Sequence, residues 1–375
     1  MKIGVDASDL LSGGSITHLK EFFAHIDITK HPFSSMIVWA PKKLIKQLPQ
    51  RNFIEYVEVN FENNGIKKII WKKFLFDREL TKLKVDVLFV PGSFFIGNFR
   101  PYVQIARNLL PFDKTLVREY RYSLQYFRLR VLKVLMVKSY LNSNGLIMLA
   151  KSQKKIMDQY VPNFKGKIKI IPHGVSKDFE ENKTKEKNDN LDNSKILRIG
   201  YVSIIDFYKN QANVLKAAKI LKGRGYKFSL EFVGNKYAPA FNKFRSLLDE
   251  IDPKNEYIKY LGEIGHNSIQ KFYKEIDIFI FASSCEAFGQ ILTEAMRSSL
   301  PIACSNKSTM PETLGDCGVY FDPDDTSSIV DALEKLINSK SLRKKISKKA
   351  YNRSKLFSWE VTVDNTIDLI SNIVK

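Results

Sequence analysis

The chain has 375 residues, 44% hydrophobic and 27% charged. That is enough apolar material for a substantial core and more length than one average domain uses. The formal charge of +20 is uneven: residues 1–180 carry 30 basic and 15 acidic side chains, residues 181–375 carry 30 and 25. No stretch approaches the roughly 18 apolar residues of a membrane span, and Cys285, Cys304 and Cys317 lack the paired spacing of a disulfide framework or zinc site. These features predict a soluble two-domain chain in a reducing, cytoplasmic setting. The basic first half suits a phosphate-bearing partner and equally suits a Lys-rich composition that serves solubility.

Taken in order, short β-branched runs alternate with longer amphipathic segments. Residues 2–6, 36–40, 85–90, 102–106, 146–150 and 168–171 read as strands. Between them Ile16, Leu19, Phe22, Phe23 and Ile26 recur at helical spacing, as do the apolar residues within 66–83 and 116–141. Residues 180–193 have almost no apolar content and cannot offset their ordering entropy, so 181–195 is the expected linker. The alternation then restarts, with strands at 197–202, 229–233, 257–261 and 277–281 and helices from 210 and near 241–250 and 268–275. Residues 357–375 read as a helix that packs back on the first domain. The expected fold is α/β, with two Rossmann-like domains, 1–180 and 196–356, facing each other across a cleft at the carboxyl ends of their strands.

The richest constellation is Phe281-Ala-Ser-Ser-Cys-Glu286-Ala-Phe288-Gly289-Gln290-Ile-Leu-Thr-Glu294. A strand ends in small residues, Glu286 sits in the turn, Gly289 opens a helix and Glu294 lies inside it. Free helix amides at such a point can hold an anionic diphosphate, while the two carboxylates accept hydrogen bonds from sugar and ribose hydroxyls. A strand-loop-helix in which Glu286 is a cap and Glu294 is solvated fits the same letters. Lys209 stands where the first strand of the second half runs toward its helix; it reads either as a cation facing the ligand or as one surface lysine among many. Gly13-Gly14 precedes the first helix and lets backbone amides approach an anion, although Ser-Gly-Gly is also an ordinary turn. His18 reads as an exposed polar residue, His173 as a turn residue and Cys285 as a small residue closing a strand.

Two further features carry alternatives. The segment 118–138 is basic, aromatic and helical in period; Arg121, Arg128 and Arg130 either meet an anionic membrane or lipid-diphosphate acceptor or form the solvated face of a core-packing helix. Asp322-Pro323-Asp324 is the chain's one Asp-x-Asp. Proline after Asp322, and Asp325 ahead of a helical run, point to a turn with a cap rather than a metal site.

The E-x7-E spacing with Phe288-Gly289 inside it, Glu294-Ala-Met-Arg-Ser-Ser-Leu-Pro-Ile-Ala after it and Met310-Pro-Glu-Thr-Leu-Gly beyond resembles family 4 (group 1) retaining glycosyltransferases of the GT-B fold. Leu11-Ser-Gly-Gly14, Pro172-His-Gly-Val175, Tyr208-Lys-Asn-Gln211 and Phe357-Ser-Trp-Glu360 extend the likeness over nearly the whole chain. The resemblance implies a nucleoside diphosphate sugar as donor substrate, no cofactor and no metal. It implies that Glu286 and Lys209 are catalytic, and that Gly13, Gly14, Ser203, Phe288, Gly289, Gln290 and Glu294 contact the donor. It departs from the family at two places. Ser203 and Ile204 occupy the position of a second cation ahead of Lys209, and Arg107, followed by Asn108, stands where a histidine is usual before Pro111. Arginine cannot shuttle a proton near neutral pH, so Arg107 and Asn108 become candidate substrate contacts. The implied partners are a sugar or lipid-linked glycan acceptor in bacterial surface polysaccharide assembly and an anionic surface on the inner face of the cytoplasmic membrane, with no nucleic acid. A sugar-nucleotide epimerase on the same architecture and a non-catalytic phosphate- or nucleic-acid-binding protein are the rival readings.

Overall fold

Short apolar runs buried on both faces form two wholly parallel sheets, the arrangement expected when helices cross over between successive strands. The computed structural model describes residues 1–10, 13–61, 65–92, 94–180 and 196–374; the expected linker, 181–195, lies outside them. The chain divides into two units, Met1–Gly174 with Ser358–Lys375, and Val175–Phe357. In the first, β1 (Lys2–Asp6), β2 (Ser35–Ala40), β3 (Ile54–Glu58), β4 (Val87–Val90), β5 (Tyr102–Ala106), β6 (Gly145–Met148) and β7 (Lys167–Ile170) are ordered 3-2-1-4-5-6-7. In the second, β8 (Leu197–Val202), β9 (Phe228–Val233), β10 (Ile258–Tyr260), β11 (Ile278–Phe281), β12 (Ile302–Ser305) and β13 (Val319–Phe321) are ordered 10-9-8-11-12-13.

Each order reverses once, between β1 and β4 and between β8 and β11. Ligands of open α/β sheets bind outside the carboxyl ends of the strands at such a reversal. The loops that leave β8 and β11 carry Lys209 and Glu286, which fixes where the candidate site of the second unit lies.

Several expectations are corrected. The first unit ends at Gly174 rather than at residue 180, because Val175 and Phe179 belong to the second unit's core: Phe179 packs edge-on against Tyr273, and its carbonyl accepts a bond from Ser298 Oγ at 3.1 Å. Edge strand β3 escaped the sequence reading because Glu55 and Glu58 interrupt its apolar pattern. The apolar segment 66–83 is not one α-helix. It runs as Gly65–Ile70, a π-helical turn Trp71–Leu75 and Phe76–Lys82, and the wider turn buries Trp71 and Lys72 while Phe74 and Leu75 face outward.

The basic segment is likewise broken. A short helix, Lys114–Arg118, gives way to a bend with Tyr122 at φ 65°, and Ser123 caps a new helix, Leu124–Leu141. The C-terminal helix, Trp359–Val374, packs within the first unit against the helix Gly14–His25. Gly174 is required there: a Cβ on it would stand 2.4 Å from the backbone nitrogen of Trp359.

Candidate active site

In the second unit the loops after β8 and β11 are stitched together before any ligand is considered. Ser284 N–H donates to the Tyr208 carbonyl at 2.8 Å, and Asn210 Nδ2 donates to the Ala282 carbonyl at 3.0 Å and to Ser284 Oγ at 2.6 Å. Asn210 sits at φ 55°, a left-handed conformation that asparagine tolerates, and this lets the chain turn from the 3₁₀ turn Phe207–Lys209 into the helix Gln211–Gly223. The buried Tyr201 hydroxyl donates to the Lys209 carbonyl and fixes the loop from below.

The stitched loops bring Lys209 and Glu286 into a direct ion pair. Lys209 is 5% exposed, so it is not the surface lysine that sixty basic residues would make the commonest expectation. Its ammonium also lies over the rings of Tyr208 and Phe281, 4.8 and 5.4 Å from their centroids. The Glu286 turn is braced through its backbone: its N–H donates to Ser308 Oγ at 3.1 Å, and its carbonyl accepts from Ser308 Oγ at 2.8 Å and Thr309 Oγ1 at 3.0 Å. Glu286 is therefore a held carboxylate facing a buried cation, not a helix cap.

Gly289, at φ 84°, precedes the helix Gln290–Arg297, whose first amides lack intrahelical acceptors. Gln290 is partly exposed at its first position. Glu294 is partly buried, and Tyr273 donates its hydroxyl to the carboxylate at 3.3 Å. Burial pushes the Glu294 carboxyl up to about 8, with the Tyr273 bond working against that rise. A carboxyl raised in the folded state costs nothing below its unfolded value near 4.5. It lowers stability progressively as pH climbs to about 8, because the unfolded chain ionises first. Glu294→Gln should therefore melt close to the parent at pH 5 and roughly 3–6 °C above it at pH 8.5. Equal melting shifts at both pH values would remove the buried acid from the account.

Two expected donor contacts are turned inward. Ser203 is buried; its hydroxyl donates to the Ile204 carbonyl at 2.7 Å and accepts from Gln211 Nε2 at 3.3 Å, so it closes the loop after β8. Phe288 is buried edge-on against Phe357, with its carbonyl accepting from Thr313 Oγ1. Both placements have one cause: in a tight strand-to-helix turn some side chains must fill the space beneath it.

In the first unit Gly13 takes φ 67° at the start of the helix Gly14–His25, a conformation open to glycine and costly for other residues. Arg107 does not project freely toward a substrate. Its guanidinium donates to the Pro91 carbonyl at 3.1 Å and the Gly14 carbonyl at 3.2 Å, tying the loop after β4 to the glycine turn, and burial lowers it to about 10. Asn108 Oδ1 accepts from Leu110 N–H at 3.1 Å and closes a local turn.

His18 and His173 are both buried, against the expectation for His18. Their rings lie 4.7 Å apart, and Trp359 stacks on His173. Burial, then the nearby His173 and Arg107, holds His18 well below the usual imidazole range; burial and Arg107 do the same to His173, so the pair is neutral at pH 7.

Asp325 caps the helix Thr326–Asn338, accepting from Ser327 N–H at 2.9 Å. Asp322 pairs with Lys307 at 3.1 Å and accepts from Asp324 N–H at 3.0 Å. Among the described residues no three His, Cys, Asp or Glu side chains stand together as a metal-binding group. Sequence reasoning passed over Asn210, Ser308, Thr309 and Tyr273. Only Asn210 had a signal, inside Tyr208-Lys-Asn-Gln.

The family profile for glycosyl transferases group 1 matches residues 182–353. The O-antigen chain mannosyltransferase B of Escherichia coli is 31% identical over 121 residues, 32% of each chain. The capsular polysaccharide biosynthesis glycosyltransferase CapM of Staphylococcus aureus is 28% identical over 177 residues, 45% of this chain and 43% of that one. These alignments span less than half the length of the curated relatives. The solved structure of Anabaena Alr3699/HepE in complex with UDP-glucose covers 99% of this chain and 100% of its own, at 14% identity and a TM-score of 0.70, which speaks to fold. Residues 182–353 thus match the glycosyl transferases group 1 family, and the two parallel Rossmann-like units, like the solved neighbour, have the GT-B fold.

Proposed function

We propose that the chain transfers a sugar, with retention of anomeric configuration, from a nucleoside diphosphate sugar to an acceptor hydroxyl in surface polysaccharide or lipid-linked glycan assembly. The observation that supports this best is the buried Lys209–Glu286 pair at the β8/β11 reversal, beside the open amides of the helix Gln290–Arg297. A diphosphate laid there meets one cation and a helix N-terminus, the partners an anionic leaving group needs. It would compete with Glu286 for Lys209, and the carboxylate so released can accept hydrogen bonds from the sugar hydroxyls. Glu294, further along the same helix, is placed for the ribose.

In the reaction proposed, the acceptor oxygen bonds to the anomeric carbon on the face from which the diphosphate leaves. The bond from that carbon to the phosphate oxygen breaks, and the acceptor proton passes to a phosphate oxygen of the departing nucleoside diphosphate. The HepE complex with UDP-glucose supports a uridine donor, and the two polysaccharide relatives support the pathway. Melting the protein against UDP-, GDP-, ADP- and dTDP-sugars, then incubating the best donor with acceptors, tests the reading. A product of retained configuration is expected. An isomerised donor sugar without transfer, or no chemistry with any donor, would overturn it.

The same reading makes catalysis metal-independent. Asp322 and Asp324 are engaged by Lys307 and by their own turn, whereas the diphosphate has Lys209 and helix amides. Turnover should be unchanged in excess EDTA. Loss of turnover in chelator, restored by Mn²⁺ or Mg²⁺, would overturn that expectation and direct mutagenesis to Asp322 and Asp324.

A further inference from the structure

The segment Met310-Pro-Glu-Thr-Leu-Gly315 has no part in the transfer chemistry, yet its neighbours grip the turn that carries Glu286. It forms a five-residue helix, Met310–Leu314, just after the loop that leaves β12. Three hydroxyls from this loop and helix hold the turn between β11 and the helix Gln290–Arg297. Ser308 Oγ both accepts from the Glu286 N–H and donates to the Glu286 carbonyl, Thr309 Oγ1 donates to the same carbonyl, and Thr313 Oγ1 donates to the Phe288 carbonyl at 2.8 Å. Thr309 and Thr313 are buried, so little water competes for these bonds.

Ser308 is held in a costly conformation. Its φ is 54°, in the left-handed region that glycine enters freely and a residue with a Cβ enters rarely. Strain of this kind persists where the surroundings enforce it, and it clusters at functional sites. A glycine at 308 would make the same turn without strain and without the hydroxyl. The turn itself therefore does not call for serine, whereas the two bonds to Glu286 do.

The short helix is also clamped at its far end. Arg353, in the helix Lys340–Ser354, donates from Nε to the Thr313 carbonyl and from Nη2 to the Glu312 carbonyl, both at 2.7 Å. Carbonyls at a helix end lack intrahelical donors, and the guanidinium fork supplies two. Gly315 takes φ 63° beside it: a Cβ there would stand 2.9 Å from the central carbon of the guanidinium. The Tyr320 hydroxyl donates to the Gly315 carbonyl. A continuous set of bonds thus runs from Arg353, through the helix, to the residue whose carboxylate pairs with Lys209.

We propose that Ser308, Thr309 and Thr313, with Arg353 anchoring their helix, are positioning residues for Glu286: they fix the backbone from which its carboxylate reaches the donor sugar. The task of Glu286 rests on the transfer reading. Catalysis tolerates little displacement of an orienting group, and a shift of about 1 Å can cost roughly 10²-fold in rate. Lys209 and Glu294, the partners of the nucleotide, are held by other bonds, from Tyr201 and Tyr273, so the loss falls on kcat rather than on the donor KM.

The test is a set of double-variant cycles in kcat, each read beside a melting temperature. Ser308→Gly relieves the left-handed strain while removing both bonds. It should melt within about 3 °C of the parent and lose roughly tenfold in kcat, with donor KM changed less than about twofold. A serine whose only task is the turn would lose no rate to glycine. Thr309→Val should also lose rate, and Thr309→Ser, which restores the hydroxyl, should recover it. Arg353→Lys keeps the charge but cannot serve two carbonyls as the planar fork does, and it should lose a smaller part of the rate. In a Glu286→Gln background, Ser308→Gly and Arg353→Lys should each cost less than about twofold further, because the carboxylate they position is gone. Parent-like kcat in Ser308→Gly would overturn the proposal, and so would losses of equal size in both backgrounds. Parent-like turnover in Glu286→Ala would overturn the transfer reading's use of Glu286 and, with it, the proposal.

Discussion

Lys209→Ala is expected to lower kcat/KM by roughly 10²–10³, the usual consequence of removing one preorganised charge from the place where negative charge develops. The size of the effect follows from burial. An ammonium that is 5% exposed, fixed between Glu286 and the rings of Tyr208 and Phe281, needs no reorganisation when a diphosphate arrives, and little water competes for it. The same burial predicts a stability change, since Glu286 would keep its charge without its partner; removing one member of a buried pair costs about 3–5 kcal/mol, less here because Glu286 retains some solvent access. Rate must therefore be measured well below the variant's melting temperature. Lys209→Arg separates charge from position: it keeps the cation but replaces a compact ammonium by a planar guanidinium on a longer stem, and it should recover melting temperature better than turnover. An unchanged kcat/KM in Lys209→Ala would remove this residue from the mechanism.

What the sequence disclosed divides along a physical line. Strands β1, β5 and β8 were readable to the residue because each is a short apolar run closed by polar or glycine neighbours, and each is central in its sheet, where local pattern and burial agree. The strand-turn-helix from Phe281 to Glu294 was readable for the same reason, with Gly289 marking the one left-handed position. Contacts between distant residues were not readable. Lys209 and Glu286 are 77 positions apart, and nothing in Tyr-Lys-Asn says that the lysine turns inward. His18 looks solvent-facing in its helix until Trp359 and His173 are packed on it. The helix Leu124–Leu141 shows the converse: its letters give a basic, apolar helix, but which apolar residues are buried depends on where Phe95 and the core meet it. Arg107 stands at a position where the resemblance placed a substrate contact, and the structure gives its N–H groups to two backbone carbonyls.

The companion substitution, at Glu286, distinguishes a catalytic carboxylate from a counter-ion. Glu286→Ala leaves the Lys209 ammonium buried with ring faces but no anion, so melting should fall by several degrees, in contrast to a turn carboxylate that only faced solvent. Glu286→Gln keeps an oxygen that accepts from Nζ and keeps the backbone bonds to Ser308 and Thr309, so its melting should stay nearer the parent's. If the carboxylate orients the donor sugar, both variants should lose turnover, by about 10² or more, because a neutral amide accepts a hydroxyl hydrogen bond far less strongly than an anion. If Glu286 serves only to neutralise Lys209, Gln should keep most of the rate while Ala loses it. The double variant Lys209→Met with Glu286→Gln completes the cycle. Removing both charges should restore much of the stability lost by either single loss of partner, since no buried charge is then left unpaired, while turnover stays at the level of the worse single variant. Additive losses in melting temperature would show that the two side chains contribute independently and that the pair does not hold the loops after β8 and β11. Parent-like turnover in Glu286→Ala would place the sugar contact elsewhere.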